Sequence, residues 1–294
     1  MSTAIIINPI SGGASRDAAR ERAELASAIV DRHGDPAEVF VTERAGHARE
    51  LAKAAVARGA RLVMAWGGDG TINEVARALA FNDVPLGIVP AGSGNGLARE
   101  LGIDLRPEHA IADALQAEPR PMDLGELDGH IFANIAGIGF DAQVAWEFAQ
   151  PANRARGFST YIRISLRTAL SYEPATYGIT VGGERTEARA ILVTIANSAQ
   201  FGNNARIAPG ARVDDGLLDL VVMEERSRWR TLVNLPRLFN GTVGQAPGCS
   251  IRRIDRATIE SDQPMRFHVD GEPFEGGTSL RVRVHPGALR VAVK

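Results

Sequence analysis

Leu62-Val63-Met64-Ala65-Trp66 runs into Gly67-Gly68-Asp69-Gly70 and resumes as Thr71-Ile72-Asn73-Glu74-Val75. A short apolar run bounded by glycines is the pattern of a strand buried in a parallel sheet, and Ile72, Val75, Ala76 and Leu79 recur at helical spacing. Strand, glycine loop, helix is therefore the expected order. Three glycines remove the β-carbons that would keep a polyanion from the backbone amides, and the helix that follows points its positive end at the same spot. A plain βα turn has the same outline. Asp69 sits inside the loop, where a carboxylate repels phosphate directly but suits a magnesium ion bridging to it.

Two further loops of this kind lie on either side. Ala4–Ile7 reads as a strand ending at Asn8-Pro9-Ile10-Ser11-Gly12-Gly13, and Leu25, Ala28 and Ile29 then give a helix that Gly34 stops. Val39–Thr42 is the next strand, followed by a helix with Ala48, Leu51, Ala52, Ala55 and Val56 on one face and Gly59 as its cap. After the central loop, Leu86–Val89 leads into Pro90-Ala91-Gly92-Ser93-Gly94-Asn95-Gly96-Leu97-Ala98. Successive parallel strands carry such loops to one sheet edge, where open α/β sheets bind ligands.

A last helix, with Ile111, Ala114 and Leu115 inward, ends near Pro119 and Pro121, and the pattern then changes. From Met122 onward the runs are strands with hairpin turns at Asp128-Gly129, Gly182-Gly183 and Asp270-Gly271. The expected organisation is an α/β domain with a parallel sheet over 1–122 and a mostly antiparallel β domain over 123–294. The cleft between them is the default site, with the extreme C-terminus returning to the first domain.

Composition narrows the chemistry. With 45% hydrophobic and 23% charged residues the chain of 294 residues is ordinary for a globular protein, and a net charge of −2 supplies no general field for nucleic acid. Only Lys53 and Lys294 are lysines, and no GxxxxGK[ST] occurs, so phosphate must be met by amides, metal or arginine. The GxGxxG of dinucleotide enzymes is also missing, because Arg99 stands where its third glycine belongs. The single cysteine, Cys249, has no partner for a disulfide, which favours a reducing compartment. Met1–Ile7 lacks the basic and apolar regions of a signal peptide, and no window reaches the ~20 apolar residues of a membrane span.

Residues 67–75, GGDGTINEV, resemble the nucleotide-binding signature of the diacylglycerol kinase-like lipid kinases, a superfamily that includes sphingosine kinases and shares its GGDGT core with NAD kinases. NPISGG at 8–13 resembles the family's opening motif, PAGSGNGLA at 90–98 its second nucleotide loop, NIAGIGFDA at 134–142 its interface segment, and Asp270-Gly271-Glu272 its DGE segment. The resemblance implies an NAD kinase-like first domain that binds ATP and Mg2+ through Asn8, Gly12, Thr42, Gly67, Gly68, Asp69, Gly70, Thr71, Gly92, Ser93, Gly94 and Asn95. It implies Glu272 as general base, with Asp69 and Asp270 completing the catalytic set, and Asp141 near the polar head of the acceptor. A surface threonine at a strand end, a capping aspartate before a helix and a solvated acidic turn are the plain alternatives for Thr42, Asp141 and Glu272. Arg212-Val213-Asp214-Asp215-Gly216-Leu217 resembles the family's structural magnesium turn, which implies the Asp215 carboxylate and the carbonyls of Arg212 and Leu217 as ligands. Where many family members have an acid after Asn95, this chain has Gly96, closer to the sphingosine kinase pattern.

The reaction so implied is γ-phosphoryl transfer from ATP to a lipid alcohol, either diacylglycerol-like or a sphingoid base, by a cytoplasmic enzyme peripheral to the inner membrane face. A homodimer is compatible with it. An NAD kinase and a nucleotide-binding module without catalysis are the rival readings. Two stretches interleave arginine with apolar residues. The first, 156–170, is expected as a packed helix with a solvated arginine face. Arg226–Phe239, around Trp229, is expected to meet a lipid surface.

Overall fold

Ile5, Ile6 and Ile7 are all completely buried, as are Val63, Met64 and Ala65, so these strands have no solvent face. Such strands must be covered by helices on both sides. The computed structural model describes residues 2–13, 17–150, 158–226 and 236–294. It divides into two units, residues 1–122 with 287–294 and residues 123–286.

In the first unit β1 (Thr3–Ile7) lies between β2 (Ala37–Val41) and β3 (Leu62–Gly67), and β4 (Leu86–Pro90) follows β3. All these pairings are parallel. The helices are α1 (Asp17–Arg32), α2 (His47–Ala57), α3 (Asp69–Leu79), α4 (Gly96–Glu100) and α5 (Pro107–Gln116). Ile5, Ile7, Met64 and Trp66 pack with Ile29 and Val30 of α1 and Ile111 of α5, while α2 packs with α3. The chain's end returns here: Val291 pairs in parallel with Leu86, and Lys294 Nζ donates to Asp113 at 2.5 Å.

The second unit is antiparallel. Its strands are β5 (Pro119–Leu127, entering from the first unit), β6 (His130–Phe132), β7 (Ile135–Gly139), β8 (Ala175–Val181), β9 (Glu184–Ala196), β10 (Leu218–Glu224), β11 (Cys249–Ile254), β12 (Arg256–Glu260), β13 (Arg266–Val269), β14 (Glu272–Glu275) and β15 (Ser279–Ala292, leaving for the first unit). Strand β9 pairs with β8 along its first half and with β7 and β10 along its second. Apolar clusters occupy both faces, one around Ile138, Val193, Ile195 and Phe267, the other around Ile135, Ala196, Ile207 and Val221. The three expected hairpin turns are present, with positive φ at Asp128 and Gly129 (48° and 83°), Gly182 and Gly183 (60° and 87°), and Asp270 and Gly271 (50° and 82°). Positive φ at both central residues is what a type I′ turn demands.

Two helices follow β7: α6 (Phe140–Ala149) and α7 (Phe158–Ser171). On α7 the inward positions Thr160, Ile164 and Thr168 are buried, whereas Leu166 and Leu170 are 56% and 73% exposed beside the exposed Arg163 and Arg167. The expected arginine face is therefore half apolar. Of the second arginine-rich stretch, Arg228, Trp229, Arg230, Leu232 and Leu235 lie outside the described residues. Arg237, Leu238 and Phe239 form part of α8 (Pro236–Asn240), and Phe239 is 54% exposed.

Candidate active site

The ends of β1, β3 and β4 deliver three loops to one edge of the parallel sheet, and hydrogen bonds tie them together. Asn8 Nδ2 donates to Thr71 Oγ1 at 2.9 Å, joining the first loop to the start of α3. Ala91 N–H donates to Gly67 O at 2.8 Å, and Gly96 N–H donates to Asp69 Oδ1 at 2.7 Å, joining the second loop to the third. Thr42 arrives from β2 by donating its N–H to Ile7 O at 2.9 Å and is itself buried.

The approach of the loops is set by missing side chains. A β-carbon on Gly92 would stand 2.8 Å from Gly68 Cα, one on Gly67 2.5 Å from Thr71 Cβ, and one on Gly12 2.7 Å from Ala91 O. Gly70 has open space where a β-carbon would be and is exposed, as is Ser93. Asn95 adopts left-handed backbone (φ 49°) and locks its loop reciprocally, accepting from Gly92 N–H at 2.8 Å and donating to Gly92 O at 2.9 Å.

Asp69 opens α3 and is half-buried, with Oδ2 turned toward Gly94, where a β-carbon would come within 2.9 Å. The cradle suits a polyphosphate, because its glycines leave backbone open, most plainly at the exposed Gly70. A single carboxylate beside such a cradle fits Mg2+, which is ordinarily held by one or two carboxylates together with substrate phosphates. Glu74, in the same motif, has a different task. Its carboxylate accepts from Gly46 N–H at 2.8 Å and Ala48 N–H at 3.1 Å and so caps α2.

Arg22 of α1 fastens the first loop from behind, a role with no local signal in the sequence. Its guanidinium donates to Asn8 O at 2.9 Å and Ser11 O at 3.0 Å and lies 5.9 Å from the centroid of Trp66. Burial pulls its pKa below the usual arginine value.

In the second unit the Asp270-Gly271 turn joins β13 to β14, placing Glu272 at the first position of β14, where it is exposed. Asp270 does not project from the turn. Its Oδ2 accepts from Ala133 N–H at 2.9 Å, and its Oδ1 from Asn134 N–H at 2.9 Å and Ile135 N–H at 3.0 Å. Asn197, completely buried, donates to both Ala133 O and Asp123 O at 2.8 Å, and Asp123 Oδ2 accepts from Gly216 N–H at 2.6 Å. A hydrogen-bonded path thus links the acid turn to the turn at Arg212–Leu217. Asp123 is a polar residue within β5 and Asn197 follows directly on the apolar end of β9, and that is the one trace they leave in the sequence.

Asp141, at the start of α6, is only 7% exposed and is held internally by Ala142 N–H at 2.9 Å and Thr194 Oγ1 at 3.1 Å. Nearby, burial first, then Tyr177, whose hydroxyl is hydrogen-bonded to it, then the charge of Asp141 push the Tyr172 phenol far above its ordinary pKa. In the turn at 212–217, Asp215 Oδ1 accepts from Leu217 N–H at 3.1 Å, and its other oxygen pairs with the Arg253 guanidinium. As folded, that turn carries its countercharge within the chain, and a cation on Asp215 would have to displace Arg253. Among the described residues no three His, Cys, Asp or Glu side chains gather as a metal cluster.

Residues 2–127 match the model of the diacylglycerol kinase catalytic domain, and residues 134–293 that of the YegS C-terminal NAD kinase beta sandwich-like domain. A "Probable lipid kinase YegS-like" protein of Pseudomonas aeruginosa is 34% identical over 278 residues, covering 94% of this chain and 91% of the relative. One of the same description from Pseudomonas fluorescens is 34% identical over 257 residues, covering 86% and 84%. The fold matches a crystal structure from Bacillus anthracis with a TM-score of 0.81 at 20% identity, over all of this chain and 95% of the other. A diacylglycerol kinase of the same organism matches at a TM-score of 0.75 and 18% identity, over all of this chain and 97% of that one.

Proposed function

The chain belongs to the diacylglycerol kinase-like lipid kinase family, and from that membership we propose that it transfers the γ-phosphoryl group of ATP to the hydroxyl of a lipid alcohol, diacylglycerol-like or a sphingoid base. The observation that carries this reading is the cradle at the ends of β1, β3 and β4, in which Asp69 is held by Gly96 N–H among three glycine loops.

In this reading the backbone amides of Gly68–Gly70, Ser93 and Gly94 receive the phosphates, while Gly92 N–H and Thr71 N–H stay within the loops and Asn8, Gly12, Thr42 and Asn95 hold those loops in place. Asp69 holds Mg2+, which when bound neutralises charge on the transferring group. Glu272 takes the proton of the acceptor hydroxyl as its oxygen attacks the γ-phosphorus and the bond to the β-phosphate oxygen breaks, releasing ADP. Asp270 is a positioning residue for Glu272, since its carboxylate is committed to backbone. Phosphoryl transfer asks the protein mainly for placement and charge neutralisation, and these residues suit that division. A cation on Asp215 and the carbonyls of Arg212 and Leu217, stiffening the second unit, is a separable proposal with no step in the reaction.

No helix among the described residues is long and apolar enough to cross a membrane, so we propose that the enzyme meets its substrate peripherally, on the inner membrane face. The exposed Leu166 and Leu170 beside Arg163 and Arg167 suit an anionic lipid surface.

The test is an ATP-dependent assay over a panel of diacylglycerols, sphingoid bases, ceramides and NAD, read by mass spectrometry. A phosphorylated lipid supports the reading. Phosphorylated NAD with every lipid untouched replaces it with an NAD kinase, and ATP binding with no product replaces it with a binding module.

A further inference from the structure

His268 lies in β13 opposite Gly137 of β7, and the two strands pair in antiparallel register. Because Gly137 has no side chain, the carboxylate of Asp141 reaches the imidazole through the space above it. A β-carbon on Gly137 would stand 2.0 Å from Asp141 Oδ2 and 2.8 Å from His268 Nε2. Both side chains are more than nine-tenths buried, and His268 Nε2 faces Asp141 Oδ2 at 3.5 Å.

The other ring nitrogen looks toward the acid turn. His268 Nδ1 accepts from Gly271 N–H at 3.2 Å, and Gly271 immediately precedes Glu272. An acceptor at Nδ1 carries no proton, so the neutral ring is protonated at Nε2, the atom that faces the carboxylate. The hairpin is therefore held on two sides: Asp270 by the amides of Ala133–Ile135, and Gly271 by the imidazole of His268.

We propose that Asp141 and His268 are positioning residues for Glu272. Asp141 fixes the Nε2-protonated tautomer of His268, and that tautomer holds the turn from which Glu272 reaches the acceptor. The proposal rests on Glu272 being the general base, and it places Asp141 behind the turn rather than on the acceptor's polar head.

The amide made by Asp141→Asn offers hydrogens where Oδ2 stood, because its oxygen is retained at the Oδ1 position to accept from Ala142 N–H. The ring must then accept at Nε2, which moves its proton to Nδ1 and sets it against Gly271 N–H.

Long-range 1H–15N correlation spectra of the full-length protein read the tautomer without reference to activity, and steady-state kinetics with the best lipid acceptor read the consequence. The expected spectrum shows His268 protonated at Nε2 in the wild type and at Nδ1 in Asp141→Asn. Displacement of a reacting group by about 1 Å lowers rates on the order of 100-fold, so kcat should fall by about that factor in Asp141→Asn and His268→Leu, with the KM for ATP unchanged. In His268→Asn a side-chain oxygen replaces Nδ1 as the acceptor, and kcat should return to within about tenfold of wild type.

A wild-type ring protonated at Nδ1 overturns the proposal. So does an Asp141→Asn variant that raises only the KM for the acceptor while His268→Leu stays fully active, which would place Asp141 on the substrate. If no acceptor is phosphorylated although the tautomers are as expected, the kinase reading fails and the hold of the pair on the turn stands.

Discussion

The glycine cradle of the first unit and the acid turn of the second are held by opposite means. At the cradle, three loops approach because side chains are missing, and the fit depends on Gly12, Gly68 and Gly92 leaving backbone within contact distance of backbone. At the acid turn, side chains do the holding: Asp270 takes three amides, His268 takes Gly271 N–H, and Asn197 and Asp123 extend the network. A polyphosphate is large, multiply charged and well matched to a row of amides. A single exposed carboxylate needs its backbone fixed instead, and side chains hydrogen-bonded to the turn do that well. The cradle should therefore tolerate almost no added atom, whereas the turn should fail through the loss of particular hydrogen bonds.

Asp69→Asn tests the first half of the contrast and should have the largest effect, a fall in kcat/KM for ATP of about 1,000-fold that raised Mg2+ does not reverse. Near-normal turnover would remove Asp69 from the reaction. Asp270→Asn tests the second half. The amide keeps one acceptor oxygen and sets hydrogens against backbone N–H, at a cost of about 2–3 kcal/mol in a denaturant midpoint, with kcat falling and the Kd for ATP unchanged. An equal loss of ATP affinity would show that cradle and turn are not separate devices.

Leu166→Ser with Leu170→Ser asks whether the second unit also meets the lipid. Binding to anionic vesicles should weaken about tenfold, with turnover of a detergent-dispersed short-chain acceptor kept; unchanged vesicle binding would leave α7 without that role. Arg253→Leu has the smallest expected effect and separates the two claimants for Asp215. With the guanidinium as countercharge, the variant loses about 1 kcal/mol, or about 2 °C in Tm, and Mg2+ restores it. A wild-type Tm that itself rises with Mg2+ would put the cation on Asp215.

Each loop of the cradle was readable from the sequence because its makings are local, an apolar run, a glycine group and a helical stripe, whereas the bonds that tie the loops together, such as Asn8 to Thr71 and Gly96 to Asp69, were not. The hairpins were readable for the same reason, since Asp128-Gly129, Gly182-Gly183 and Asp270-Gly271 declare their turn type in two residues. The support of the acid turn was not. Asp270 meets Asn134 across 136 positions, Asn197 meets Asp123 across 74, and His268 meets Asp141 through a gap that only the pairing of β7 with β13 creates. Arg22 in α1 and the outward leucines of α7 were hidden because helical periodicity names an apolar face without saying which neighbour covers it.

Single-turnover phosphoryl transfer by Glu272→Gln, measured beside its equilibrium affinity for Mg·ATP, tests the division between cradle and turn most directly. The account predicts an unchanged Kd for ATP and a transfer rate about 1,000-fold slower than wild type. Transfer at the wild-type rate, or a slow rate explained wholly by lost ATP binding, would contradict it.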